Sequence, residues 1–225
     1  SFFLMALTME SVAFKTEDNV HIVGNYWKGG REAVLLLHMM PATKESWNIF
    51  AEKLSAEGYS VLAIDLRGHG ESIEQAGKKL NYKTFTDAGH QESILDVEAS
   101  VAFLKKKGAQ QIAIIGASIG ANLALQYQAE HSEIKKTMLL SPGTNYRGVL
   151  TESSAQMLRQ DQEVYFVAGA LDGRSAGSAE AMAKQIAGKV HGKKQLKIYP
   201  SAAHGTDLFA EDPARMNELI SWLRK

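Results

Sequence analysis

The chain has 225 residues, with 25 Lys plus Arg balanced by 25 Asp plus Glu, 45% apolar residues and no cysteine. That length fits one medium domain with one core, and the balanced charge gives no overall field toward nucleic acid or anionic membrane. Without cysteine there is no disulfide, no zinc finger and no thiol nucleophile.

The start, "SFFLMALTME", is apolar but short, with no basic segment before it. It suits neither a signal peptide nor a membrane helix, so a cytoplasmic protein is expected. Residues 1–8 are read as an added or flexible N-terminus on a single domain covering 1–225. Residues 11–16 and 20–27 are rich in Val, Ile, Phe, Tyr and Trp, with the polar turn "TEDN" between them. They predict an antiparallel pair. "AVLLLH", 33–38, is a continuous apolar run that suits a strand buried on both faces. Residues 44–57 carry Trp47, Phe50 and Leu54 at helical spacing and close at Gly58.

"YSVLAIDL" predicts the next buried strand, and 91–107 a helix with the stripe Ile94, Val97, Val101, Leu104. The run Lys105-Lys106-Lys107 before Gly108 suits the negative end of that helix dipole. "QIAIIG" is a strand and 119–131 a helix; "KKTMLLSP" and "EVYFVAG" are strands. Residues 178–190 predict a helix, "QLKIYP" the last strand and 213–224 the last helix, capped by Asp212 with Pro213 in its first turn.

Strands alternating with helices, most strands apolar throughout, mean a mostly parallel sheet covered on both faces. Right-handed crossovers then bring every strand's C-terminal end to one edge, where such sheets bind ligands. The residues after the strands are "HMMPATKESW", "DLRGHGES", "GASIG", "SPGTNY", "GALDG" and "SAAHGTDLF". Ser118, Asp172 and His204 all fall on that edge, in that chain order. Asp161 precedes its strand and belongs at the opposite edge.

In this pattern the chain resembles the α/β-hydrolase family over nearly its whole length. Gly116-Ala117-Ser118-Ile119-Gly120 matches the family's G-x-S-x-G nucleophile elbow, with a strand before it and a helix after it. The resemblance implies an α/β-hydrolase fold: a mostly parallel sheet with helices on both faces, antiparallel N-terminal strands and no large cap domain. It implies Ser118 as nucleophile, His204 as base and Asp172 as acid. It implies an oxyanion hole from the backbone N–H groups of Ile119 and of Met40 or Met39, where the family usually has glycine. His38 and His69 are expected to organise loops at the same edge.

The resemblance points to a serine carboxylesterase for short-chain acyl esters, working through an acyl-enzyme. A thioesterase, acyltransferase or small peptidase with the same triad is the alternative, and a non-catalytic binding protein the outsider. No cofactor or metal is expected. The partners expected are a small-molecule ester and, at most, a second copy of the chain. Met39, Met40, Trp47, Tyr146 and Leu171 are the pocket candidates. "NYRGVLTESSAQMLRQ" is expected to form one short helix rather than a lid. The connection 71–90, with Tyr82 and Phe85, either walls the pocket or patches the sheet's flank.

Overall fold

The computed structural model describes residues 8–174 and 178–225. Most of the expected N-terminal extension, residues 1–7, lies outside them, as do 175–177 just before the helix expected at 178–190. The chain opens with the antiparallel pair β1 (Met9–Lys15) and β2 (Val20–Trp27), followed by β3 (Glu32–Leu37). A 3₁₀ turn, Lys44–Trp47, leads into α1 (Asn48–Ala56), and then β4 (Ser60–Ile64). The next connection holds a small hairpin, β5 (Glu74–Gln75) and β6 (Lys78–Lys79), and a 3₁₀ turn at Tyr82–Thr84.

The helix expected over 91–107 is α3 (Ile94–Lys106), preceded by a separate short helix, α2 (Asp87–Gln91). Next come β7 (Gln111–Ala117), α4 (Ile119–Glu130) and β8 (Lys136–Leu140). Where one short helix was expected there is also a hairpin: β9 (Asn145–Tyr146) and β10 (Val149–Leu150) precede α5 (Glu152–Met157). The remainder is β11 (Glu163–Gly169), α6 (Ala179–Lys189), β12 (Lys193–Tyr199), α7 (Asp207–Glu211) and α8 (Ala214–Leu223). Asp212 accepts a hydrogen bond from the Ala214 N–H, as its place before α8 suggested.

The main sheet runs β12-β11-β8-β7-β3-β4-β2, with β1 and the β5–β6 hairpin attached to β2. From β12 to β4 every pairing is parallel; β2 enters antiparallel to β4. Side chains of a strand alternate between faces, and β3 shows the result. Leu35 and Leu37 join the core under α3, α4 and α6, while Val34 and Leu36 join the core under α1, α7 and α8. Both faces are therefore apolar, which explains the unbroken hydrophobic runs in the sequence. The register pairs Leu37 with both Ile64 and Gly116, and Ala117 with Leu140. His38, Asp65, Ser118 and Ser141 thus leave the sheet side by side. Among the described residues, no helix is long and apolar enough to cross a membrane.

Candidate active site

Ser118 occupies the one-residue turn between β7 and α4 with φ 54° and ψ −120°. A non-glycine residue held there costs about 1–3 kcal/mol, so the surroundings must enforce it. Its N–H donates to the Leu140 carbonyl at 2.9 Å, and its own carbonyl accepts from Ala121 at 2.9 Å, the first turn of α4. The flanking glycines give the room. A Cβ on Gly116 would stand 2.1 Å from the Gly120 carbonyl oxygen, and one on Gly120 would stand 2.4 Å from that of Leu37. The helix start therefore rests directly on the end of β3, beside the loop that begins at His38.

His204 and Asp172 come together at the same edge. His204 Nδ1 lies 2.7 Å from Asp172 Oδ2, with both side chains almost wholly buried. Burial pushes the Asp172 carboxyl up, but the hydrogen bond and charge of His204, the Arg174 N–H and the Ser141 hydroxyl outweigh it and hold it below the usual range. Asp172 is then an ionised acceptor, so Nδ1 carries the proton and Nε2 is left as the basic nitrogen. The His204 loop meets the elbow through Gly205, at φ 55°. A Cβ there would lie 3.1 Å from Ala117 Cβ and 2.7 Å from Met39 Sδ.

Ser141, which carries no motif in the sequence, ties these pieces together. Its Oγ accepts the Gly205 N–H at 2.9 Å, and its hydroxyl also reaches Asp172. Its φ is 50° and it is fully buried. The rival carboxylate, Asp161, lies at the start of β11 on the opposite edge, exposed and paired with Lys135.

The loop after β3 is anchored by an ion cluster that the sequence pattern does not reveal. The Lys44 N–H donates to Asp65 Oδ1 at 2.8 Å, and its buried ammonium reaches Asp65 Oδ2 at 2.8 Å and Glu71 at 2.6 Å. His38 Nε2 accepts the Leu66 N–H at 3.0 Å while Nδ1–H donates to the Met39 carbonyl at 2.9 Å. Burial holds His38 down to about 4, so it stays neutral and keeps that acceptor. His69 lies edge-on to His38 and stacks on Tyr82 at 3.8 Å. Both histidines serve the loops, as expected. Among the described residues, the N–H groups of Met40 and Ile119 make no hydrogen bond within the protein.

The pocket candidates need correction. Trp47 is fully buried, packed on Phe50 and Phe209 in the core under α1 and α7, because its helical stripe faces the sheet. Leu171 stands 72% exposed, directed to solvent. Met39 is buried with its sulfur against Gly205 and Thr206. Tyr146 does lie at the site, its ring edge-on to His204 at 6.5 Å. Met40 borders a groove of about 440 Å³ whose apolar part is Met40, Pro41, Tyr82 and Phe85 and whose polar part is Lys83, His90 and Arg147. In the 71–90 connection β5–β6 extends the sheet's flank, while Tyr82 and Phe85 line this groove beside Met40.

A family model described as alpha/beta hydrolase fold matches residues 32–204, and the chain belongs to that family. One curated relative, a probable alcohol acetyltransferase of Cyberlindnera fabianii, is 30% identical over 105 residues, 46% of this chain and 25% of the relative. Another, the AB hydrolase superfamily protein YisY of Bacillus subtilis (strain 168), is 28% identical over 129 residues, 56% of this chain and 43% of the relative. The chain therefore spans less than half the length of either.

Among solved structures, an esterase of Pyrococcus furiosus superposes with a TM-score of 0.77 at 20% identity, covering 97% of this chain and 92% of that one. A predicted CIB-like hydrolase from Thermoplasma acidophilum gives 0.73 at 20%, covering 96% and 99%. An esterase from Exiguobacterium antarcticum gives 0.75 at 13%, covering 96% and 100%. These likenesses establish the fold.

Proposed function

We propose that this protein is a serine hydrolase of carboxylic esters. The observation that carries the reading is the buried His204–Asp172 pair at 2.7 Å, on the same sheet edge as a serine held at φ 54°. His204 Nε2 takes the Ser118 proton, and Ser118 Oγ attacks the acyl carbonyl. The Met40 and Ile119 N–H groups receive the oxyanion, each contributing about 3–4 kcal/mol to the transition state. The alcohol leaves with the proton from His204, and water activated by the same nitrogen then releases the acid.

Short acyl groups suit the site. The segment between β8 and β11, where a cap would be inserted, holds only the β9–β10 hairpin and α5. The same acyl-enzyme can pass to an alcohol instead of water, the reaction named for the Cyberlindnera relative. Product analysis with added ethanol separates the two outcomes.

Labelling with a fluorophosphonate, followed by peptide mapping, tests the nucleophile and should place the adduct on Ser118. Ser118→Ala should lower turnover of p-nitrophenyl acetate by on the order of 10⁴-fold or more. Near-native hydrolysis by that variant would reject the reading.

A further inference from the structure

The groove beside Met40 has an unusual composition for the approach to an ester site. Met40, Pro41, Tyr82 and Phe85 line it together with the exposed Lys83 and Arg147. Among the described residues, neither cation has a carboxylate within salt-bridge distance. His90, buried at the groove's inner side, is held below its usual range by burial and by Arg147, so the positive charge belongs to the two longer side chains. Of the acids in this region, Glu92 pairs with Arg67, and Asp87, beside Gly148, acts on His90 and does not line the groove.

Arg147 is presented there by its backbone. It and Gly148, at φ 52° and 81°, form the two-residue turn joining Tyr146 to Val149. Such a turn favours Asn-Gly, so arginine in the first position works against local preference. The turn is fixed nonetheless. The Gly148 N–H donates to Asn145 Oδ1 at 2.8 Å, and the Gly148 backbone lies against Gln91 and Asp87. The residue before Arg147 is Tyr146, which meets His204, and Met40 carries one of the proposed oxyanion donors. Two residues of the groove thus border the proposed site in sequence: Met40 itself, and Arg147 directly after Tyr146.

We propose that the groove binds a free carboxylate on the ester substrate, with Arg147 and Lys83 holding the anion and Tyr82, Phe85 and Met40 packing the hydrocarbon or aromatic stem. Substrates of this class are half-esters of dicarboxylic acids and acyl esters of hydroxy-carboxylic acids. The side chains of Met40, Tyr82 and Phe85 favour a carboxylate on a carbon skeleton over a strongly hydrated phosphate.

The proposal rests on the serine-esterase reading, and its test keeps the two apart. Two probe pairs place the anion on either side of the scissile bond: p-acetoxybenzoate with its methyl ester, and p-nitrophenyl hydrogen adipate with p-nitrophenyl hexanoate. Arg147→Asn keeps the turn's preferred residue and Lys83→Gln removes the second cation; both sites are exposed. For at least one pair, the anionic-to-neutral ratio of kcat/KM should fall about threefold to tenfold with each substitution. The neutral partner's rate should hold, and the preference should shrink as salt is raised. Ratios unmoved for both pairs, or equal losses on neutral and anionic probes, would overturn the groove assignment. Fluorophosphonate labelling of the same preparations identifies the other failure: an unlabelled Ser118 removes the catalytic reading, and this proposal with it.

Discussion

At Ser141 a single hydroxyl joins the strand end after β8 to the loops carrying Asp172 and His204. Ser141→Ala leaves the buried Gly205 N–H without its acceptor, at a cost of about 1–3 kcal/mol. It also removes one of the donors that hold Asp172 low, and lets the imidazole drift. Turnover of p-nitrophenyl acetate should fall about tenfold and the urea midpoint should drop; full activity at full stability would show the hydroxyl to be idle. Its role was not legible in "SPGTNY", which reads as a turn. Its partners lie 31 and 64 positions further on and are set by strand register. That Ser118, Asp172 and His204 share one edge was legible because each falls in a loop after the C-terminal end of a strand, Ser118 within G-x-S-x-G. Depth was not: helical spacing marks Trp47 as apolar but cannot say that it lies under the sheet rather than beside the substrate.

Between elements, the contact that matters most is α4 resting on the end of β3. Gly120→Ala would set a Cβ 2.4 Å from the Leu37 carbonyl oxygen and 2.8 Å from that of His38, backbone atoms that cannot rotate away. We expect a loss of about 1–3 kcal/mol in denaturant stability. As Ile119 is displaced, turnover should fall by on the order of 10²-fold or more. Gly188→Ala in α6 is the control, since nothing lies within 4 Å of that Cβ. It should raise stability by about 0.4–1 kcal/mol with activity unchanged. Losses of equal size in both variants would contradict the steric account. Long elements were legible to within three residues, because their periodicity runs over several turns or pleats. The hairpins at 74–79 and 145–150 were missed, because two-residue strands carry no period. The five-residue α2 was missed because the apolar stripe begins only at Ile94, in α3.

For the molecule as a whole, apolar strand runs alternating with amphipathic helices made a two-faced parallel sheet readable, and its active edge followed from strand direction. Strand order and the mutual reach of the edge loops belong to three-dimensional packing and were not in the pattern. That packing governs how the protein wears out. Along α4, Ile119 to Gln128 is buried apart from the partly exposed Gln126. The helix that follows the Ser118 turn is thus enclosed by β7, β8, α3 and α5 and cannot fray alone. Amide exchange in α4 should require global opening, while the exposed hairpin at 74–79 should exchange through local opening; fast exchange along α4 would refute this. A molecule built in this way ages abruptly. On this account the turn that holds Ser118 lasts as long as the fold and no longer.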